Sequence, residues 1–133
     1  MKKIFCLLLC CLMIVCFSAC SGNIKDVKIK TVESNIYSQE DIDDAIHTIM
    51  REFHQDWSGC KLTEIYYAGD EYEDNQFLAE RYNADEAIVL LSSFDVDSSG
   101  GDGSLNPNST YDNWNWILVR NKGEKWKHVD HGY

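Results

Sequence analysis

Ser38-Gln39-Glu40-Asp41-Ile42-Asp43-Asp44-Ala45-Ile46-His47-Thr48-Ile49-Met50-Arg51-Glu52-Phe53-His54-Gln55-Asp56-Trp57 is the stretch on which the fold turns. Ser38 stands at an N-cap position with Asp41 three residues on, a variant of the capping box, and acids fill the first turn. Ile42, Ala45, Ile46, Ile49, Met50, Phe53 and Trp57 recur at helical spacing, while Asp43, Asp44, His47 and Arg51 fall on the water side. Ser58-Gly59 supplies the stop. One long amphipathic helix is predicted, and its apolar stripe needs a sheet to cover it.

Downstream, the chain offers that sheet. Residues 61–67 are rich in β-branched and aromatic side chains and read as a strand. An acidic loop at 69–75 leads into a short second helix over 76–82. The nearly continuous apolar run 86–94 is typical of a central strand. After a polar loop from Asp95 to Asn113, residues 114–120 and 125–131 form a hairpin about Asn121-Lys122-Gly123-Glu124. The expected architecture is therefore α+β: a long N-terminal amphipathic helix on a curved antiparallel sheet of about four strands, plus one short extra helix. This element order resembles cystatin-like and NTF2-like folds, and a fold alone does not give function.

Upstream, Lys2 and Lys3 precede an apolar run from Ile4 to Phe17, and Ser18-Ala19 precedes Cys20. A basic head, a short apolar stretch and a small-residue exit describe a secretory signal. The run is shorter than the roughly 20 residues needed to span a bilayer. Phe17-Ser18-Ala19-Cys20 resembles the bacterial lipobox, which implies that the Cys20 thiol is acylated and becomes the new N-terminus. The expected organisation is a signal peptide at 1–19, a lipidated N-terminus and tether at 20–37 with a short edge strand near 27–32, and one domain at 38–133. The protein is then expected on the extracytoplasmic face of the cell membrane, held by lipid.

Of the six cysteines, Cys6, Cys10, Cys11 and Cys16 leave with the signal and Cys20 is blocked. Only Cys60 remains, so no internal disulfide is expected, and Cys60 reads as a buried small hydrophobe. Without Lys2 and Lys3 the chain carries 10 Lys+Arg against 22 Asp+Glu, a charge of −12. That balance argues against nucleic acid, whose phosphates require Lys and Arg. It also leaves acyl chains, not charge, to hold the protein at an anionic membrane. Four Trp and seven Tyr argue for a packed core and against disorder.

The segments Ala87-Ile88-Val89-Leu90-Leu91-Ser92-Ser93-Phe94-Asp95-Val96-Asp97, Ser98-Ser99-Gly100-Gly101-Asp102-Gly103-Ser104-Leu105-Asn106-Pro107-Asn108-Ser109-Thr110-Tyr111, Trp116-Ile117-Leu118-Val119-Arg120 and Gly132-Tyr133 resemble an uncharacterised family. It comprises lipoprotein and membrane-protein domains of unknown function from Gram-positive bacteria. The resemblance covers roughly 38–133. It implies an accessory or binding role and supplies no catalytic residue.

Within the chain, Asp95, Asp97, Ser99 and Gly101 match positions 1, 3, 5 and 7 of a calcium loop, with Gly100 at the tight turn. Position 12 is Asn106 where Glu is expected, so the alternative is a solvated loop capped by its own side chains. Trp114 and Trp116 share a strand face, and Trp126 lies across the hairpin. These three are expected in the core, or around an aromatic ligand pocket if that face is only partly covered. In a strand His128 and Asp130 share a face and His131 points the other way, so the two histidines are not expected to converge. No Gly-rich phosphate loop or catalytic signature appears, and no catalytic residue is assigned. The expectation is a membrane-tethered, non-enzymatic binding or accessory module for a protein or small-molecule ligand, with no required cofactor and with Ca²⁺ as the candidate ion. The alternatives are a calcium-dependent protein-interaction domain using loop 95–113 and a small NTF2-like enzyme.

Overall fold

The computed structural model describes residues 21–133, so Cys20 and the expected signal segment lie outside the described residues. Five strands and two helices follow in the order β1 (Lys28–Lys30), α1 (Gln39–Asp56), β2 (Cys60–Tyr67), α2 (Asn75–Arg81), β3 (Glu86–Val96), β4 (Ser109–Arg120) and β5 (Lys127–Gly132). They build one sheet of order β1-β2-β3-β4-β5.

This corrects the expected architecture in three respects. The sheet has five strands and is mixed, because β1 runs parallel to β2 while the other pairs are antiparallel. A strand precedes α1 in the described chain, so that helix is not N-terminal; it is the crossover that parallel neighbours require. The second face of the sheet is also partly covered, by α2. The edge strand expected near 27–32 is Lys28-Ile29-Lys30, three exposed residues too short for alternation to show which strand they join or in which direction.

Helix α1 starts where Ser38 Oγ accepts the Asp41 N–H at 3.1 Å. Its buried side chains Ile42, Ala45, Ile46, Ile49 and Phe53 pack against Leu62, Ile65, Tyr67, Leu90, Phe94, Trp116 and Leu118. Each such side chain contributes roughly 2 kcal/mol by leaving water. On the opposite face, Leu78 and Ala79 of α2 cover Ala87, Val89 and Val119. Asp74 caps this helix by accepting the Phe77 N–H at 3.0 Å.

Three bulges shift the strand faces. In β2, Leu62 opposes Phe94 while Glu64 opposes Ser93, so one extra residue puts Leu62 and Ile65 on the helix side together. In β4, Ser92 opposes Trp114 and Phe94 opposes Tyr111. The extra residue there includes Asn113 at φ +55°, a left-handed conformation that Asn tolerates better than most. In β5, Ile117 opposes Asp130 but Leu118 opposes His128, leaving Val129 as the inserted residue.

Residues 21–37 lie against the domain. The Gly22 N–H donates to His54 O at 2.9 Å, Asn23 N–H to Cys60 O at 2.9 Å, and Leu62 N–H to Asn23 O at 2.9 Å. A Cβ on Gly22 would stand 2.1 Å from Phe53 O, so only glycine fits beneath the end of α1.

Candidate functional site

A cavity of about 460 Å³ opens where the C-terminal end of α1, the β3–β4 loop and the end of β5 meet. Three aromatic side chains line it, each placed by a different device. Trp57 follows the last turn of α1 and stacks on Phe53 at 5.4 Å between centroids. Trp114 is turned to the helix side by the Asn113 bulge and meets Trp57 edge to face at 6.1 Å. His131 is turned to the same side by the Val129 bulge and lies 5.3 Å from Trp57 and 6.0 Å from Trp114. The Trp114 indole N–H is buried with no hydrogen-bond partner among the described residues.

The opposite wall is the glycine-rich loop. Gly100 and Gly101 both have left-handed backbones, and a Cβ on Gly101 would meet Leu105 Cδ1 at 3.3 Å and Cys60 Sγ at 3.5 Å. Leu105 N–H returns to Gly100 O at 3.2 Å, and Asn106 N–H donates to Tyr111 Oη at 3.1 Å, so the loop is tied back onto the sheet. Asp102 borders the cavity, its carboxyl held low by the Ser104 hydroxyl and N–H. Cys60 is buried, and burial first, then Asp97 and Asp102, pushes its thiol up to about 11. A thiol in that state is no nucleophile at neutral pH.

His128 and His131 meet, contrary to the expectation from unbroken alternation, because the bulge removes one residue from the count between them. His131 Nδ1 lies 3.3 Å from His128 Nε2, which also faces Asp130 O at 3.0 Å. On its other side His128 Nδ1 lies 2.8 Å from Glu52 Oε2 of α1. His128 thus lies between Glu52 on one side and Asp130 O and His131 on the other. His131 is held neutral more readily than a free histidine, by burial first and then by His128. Glu52, His128 and His131 stand in a row that ends at the cavity, Glu52 Oε2 approaching His128 at ion-pair distance without a hydrogen bond.

The expected calcium ligands are only partly assembled. Asp97 Oδ1 accepts the Ser99 N–H at 2.9 Å and also the Ser99 hydroxyl, which in turn lies 3.3 Å from Gly101 O. Asp95 takes no part; its Oδ1 accepts the Thr110 hydroxyl at 2.7 Å across the β3–β4 ladder. Among the described residues no group of three or more His, Cys, Asp or Glu side chains is arranged to hold a metal ion.

The three expected pocket tryptophans separate. Trp114 lines the cavity. Trp116 is fully buried beneath it and donates from Nε1 to Ser92 Oγ at 2.8 Å. Trp126 packs at the far end of the sheet, where its Nε1 donates to Asp41 O at 3.0 Å and Arg120 lies over its ring at 4.1 Å. Trp57 and His131 complete the site instead. The first belongs to the apolar stripe of the helix sequence, and the second is hidden by a bulge that leaves no trace in alternation. Comparison with protein-family models, with curated proteins and with solved structures gives no match, so the site is read from its own geometry.

Proposed function

We propose that the protein is an extracytoplasmic lipoprotein, acylated at Cys20, whose domain is a binding module that takes a small ligand in the cavity between Trp57, Trp114 and His131. The observation that carries the binding site is the cavity itself, about 460 Å³ walled by Trp57, Trp114 and His131 on one side and by Gly101, Ser104 and Leu105 on the other. Large apolar surface with a few convergent polar groups is the ordinary make-up of a ligand site.

Native mass spectrometry of the full chain purified from its own membrane tests this. A small-molecule adduct is expected on the natural sequence and absent from Trp114→Ala. Trp114→Phe, which keeps an aromatic ring of smaller area, is expected to retain part of it. Adducts of equal occupancy on all three proteins would remove the cavity from consideration.

A second reading is acid–base chemistry in the same cavity, favoured by His131 on the cavity wall with His128 3.3 Å behind it. Histidine is the side chain that general acid–base catalysis uses most often. Turnover of the captured molecule, lost in His131→Gln with binding retained, would separate it from binding alone.

A further inference from the structure

We infer that the cavity end of the domain is its membrane-facing surface, seated at the headgroup layer; the inference rests on acylation of Cys20 proposed above. The first support is the length of the leash. Gly22 is bonded to His54 O at the end of α1, and Asn23 is bonded to Cys60 and Leu62 on both sides. Cys20 stands two residue steps before that anchored glycine, with Ser21 alone between them, and extended chain covers at most about 3.6 Å per step, roughly 7 Å in all. The acyl chains must lie in hydrocarbon, and the interfacial layer above it is about 5–8 Å thick. No slack remains to hold the domain away.

The second support is where that leash arrives. Ser21 lines one groove with Gly59, Cys60 and Asp97, and Cys60 also lines the aromatic cavity. The anchor therefore enters at the cavity end. The opposite end, with Lys122 and the β4–β5 turn, lies a full strand away, about 40 Å for the 12 residues of β4.

The third support is composition. Tyr133 is 79 % exposed and packs against Trp114 at 5.2 Å and Tyr111 at 6.2 Å. Rings with an apolar body and a polar tip favour the headgroup level of a bilayer. Asp97 and Asp102 at the same end are repelled by anionic lipid, so the fitting surface is a zwitterionic headgroup layer approached because the anchor enforces it.

The test uses the full acylated chain in phosphatidylcholine vesicles carrying a nitroxide on the headgroup. A fluorophore is attached at Ser104→Cys or Lys122→Cys; Cys60 is buried and stays unlabelled. Quenching at position 104 is expected to exceed that at 122 at least threefold. An insert of about twelve Gly/Ser residues between Ser21 and Gly22, reaching roughly 20 Å, is expected to abolish the difference. Equal quenching at both positions on a chain whose mass shows the Cys20 lipid overturns the inference alone. A difference that survives the insert overturns the leash as its cause. A chain with no acyl mass at Cys20 overturns the anchoring reading and the inference together.

Discussion

His131 Nδ1 stands 3.3 Å from His128 Nε2 although the two residues are an odd number of positions apart in one strand. The Val129 bulge alone makes this possible. Deleting Val129 removes the inserted residue and leaves His128 and His131 two positions apart, His128 still opposite Leu118 and His131 opposite Trp116, so both rings keep the helix side. The expected result is that the His131 ring resonances keep their shifts from Trp57 and Trp114. Loss of those shifts in the deletion variant would show that the bulge conformation itself places the ring.

The same histidine predicts a pH dependence whose sign follows from its lowered titration in the fold. Below the unfolded value of about 6.5 the unfolded chain binds a proton that the folded ring resists. The unfolded state then holds more protons, so stability falls as pH drops from about 6.5 toward the folded value. Groups facing the ring are His128, which opposes its charge, and Asp130 and Glu52, which favour it. The lowered carboxyls of Asp41, Asp70, Asp97 and Asp102 act in the same direction but only below about pH 4. Thermal melts between pH 7.5 and 5 should therefore fall for the natural chain and flatten for His131→Gln. Parallel curves for the two proteins would assign the dependence elsewhere.

Ser92 is a buried polar side chain of the core, and its hydroxyl is the partner of the Trp116 indole at 2.8 Å. Ser92→Ala strands a buried N–H and is expected to cost about 1–3 kcal/mol. Trp116→Phe strands the hydroxyl and leaves a cavity, costing about 2–4 kcal/mol. The double variant should cost less than the sum, because neither polar group remains unpaired. Urea unfolding of the four proteins measures this; strict additivity would deny the coupling.

How much of this was legible depended on the length of each signal. The α1 stripe from Ile42 to Phe53 spans enough turns for its period to be unmistakable, and Ser38 marks its start with a capping side chain. The run at 86–94 is apolar on both sides because both faces of β3 are covered. By contrast β1 is three exposed residues whose pairing partner lies beyond a helix, and nothing local announces a parallel edge. Bulges are harder still. A single inserted residue at Asn113 or Val129 reverses the faces downstream without altering composition, so Trp114 was placed correctly beside Trp116 while His131 was not. The site needed both shifts at once, and alternation carries neither.

The β3–β4 loop is held by its own side chains. Asp97 accepts from Ser99, Asp102 from Ser104, and Asn108 N–H returns to Asp97 O at 2.9 Å. Chelating divalent ions with EDTA is therefore expected to leave the melting temperature unchanged. Asp97→Ala, which removes a turn cap, should lower the melting temperature. A fall in melting temperature on chelation, restored by millimolar calcium, would instead give the Asp97–Ser99–Gly101 oxygens an ion to hold.

Arg120 joins three elements at the end of the sheet opposite the cavity. Its Nε lies 2.6 Å from Glu86 Oε2 on β3, its Nη1 lies 2.9 Å from Asp41 Oδ1 in the first turn of α1, and its plane lies over Trp126. Its side chain is only 16 % exposed, so the pairs are screened less than surface ones. Asp41 is correspondingly held low, first by its hydrogen bond to Arg120. Removing the guanidinium leaves two carboxylates facing each other and uncovers the Trp126 ring. Arg120→Ala should cost about 2 kcal/mol in urea unfolding. Lysine cannot reproduce the fork and the stacked plane together, so Arg120→Lys should recover less than half of that loss. Because this clamp lies six residues along β4 from Trp114, roughly 20 Å, ligand occupancy of the cavity in the folded Arg120→Lys protein should match the natural chain. A loss of binding without a loss of stability would mean the two ends of the sheet are coupled.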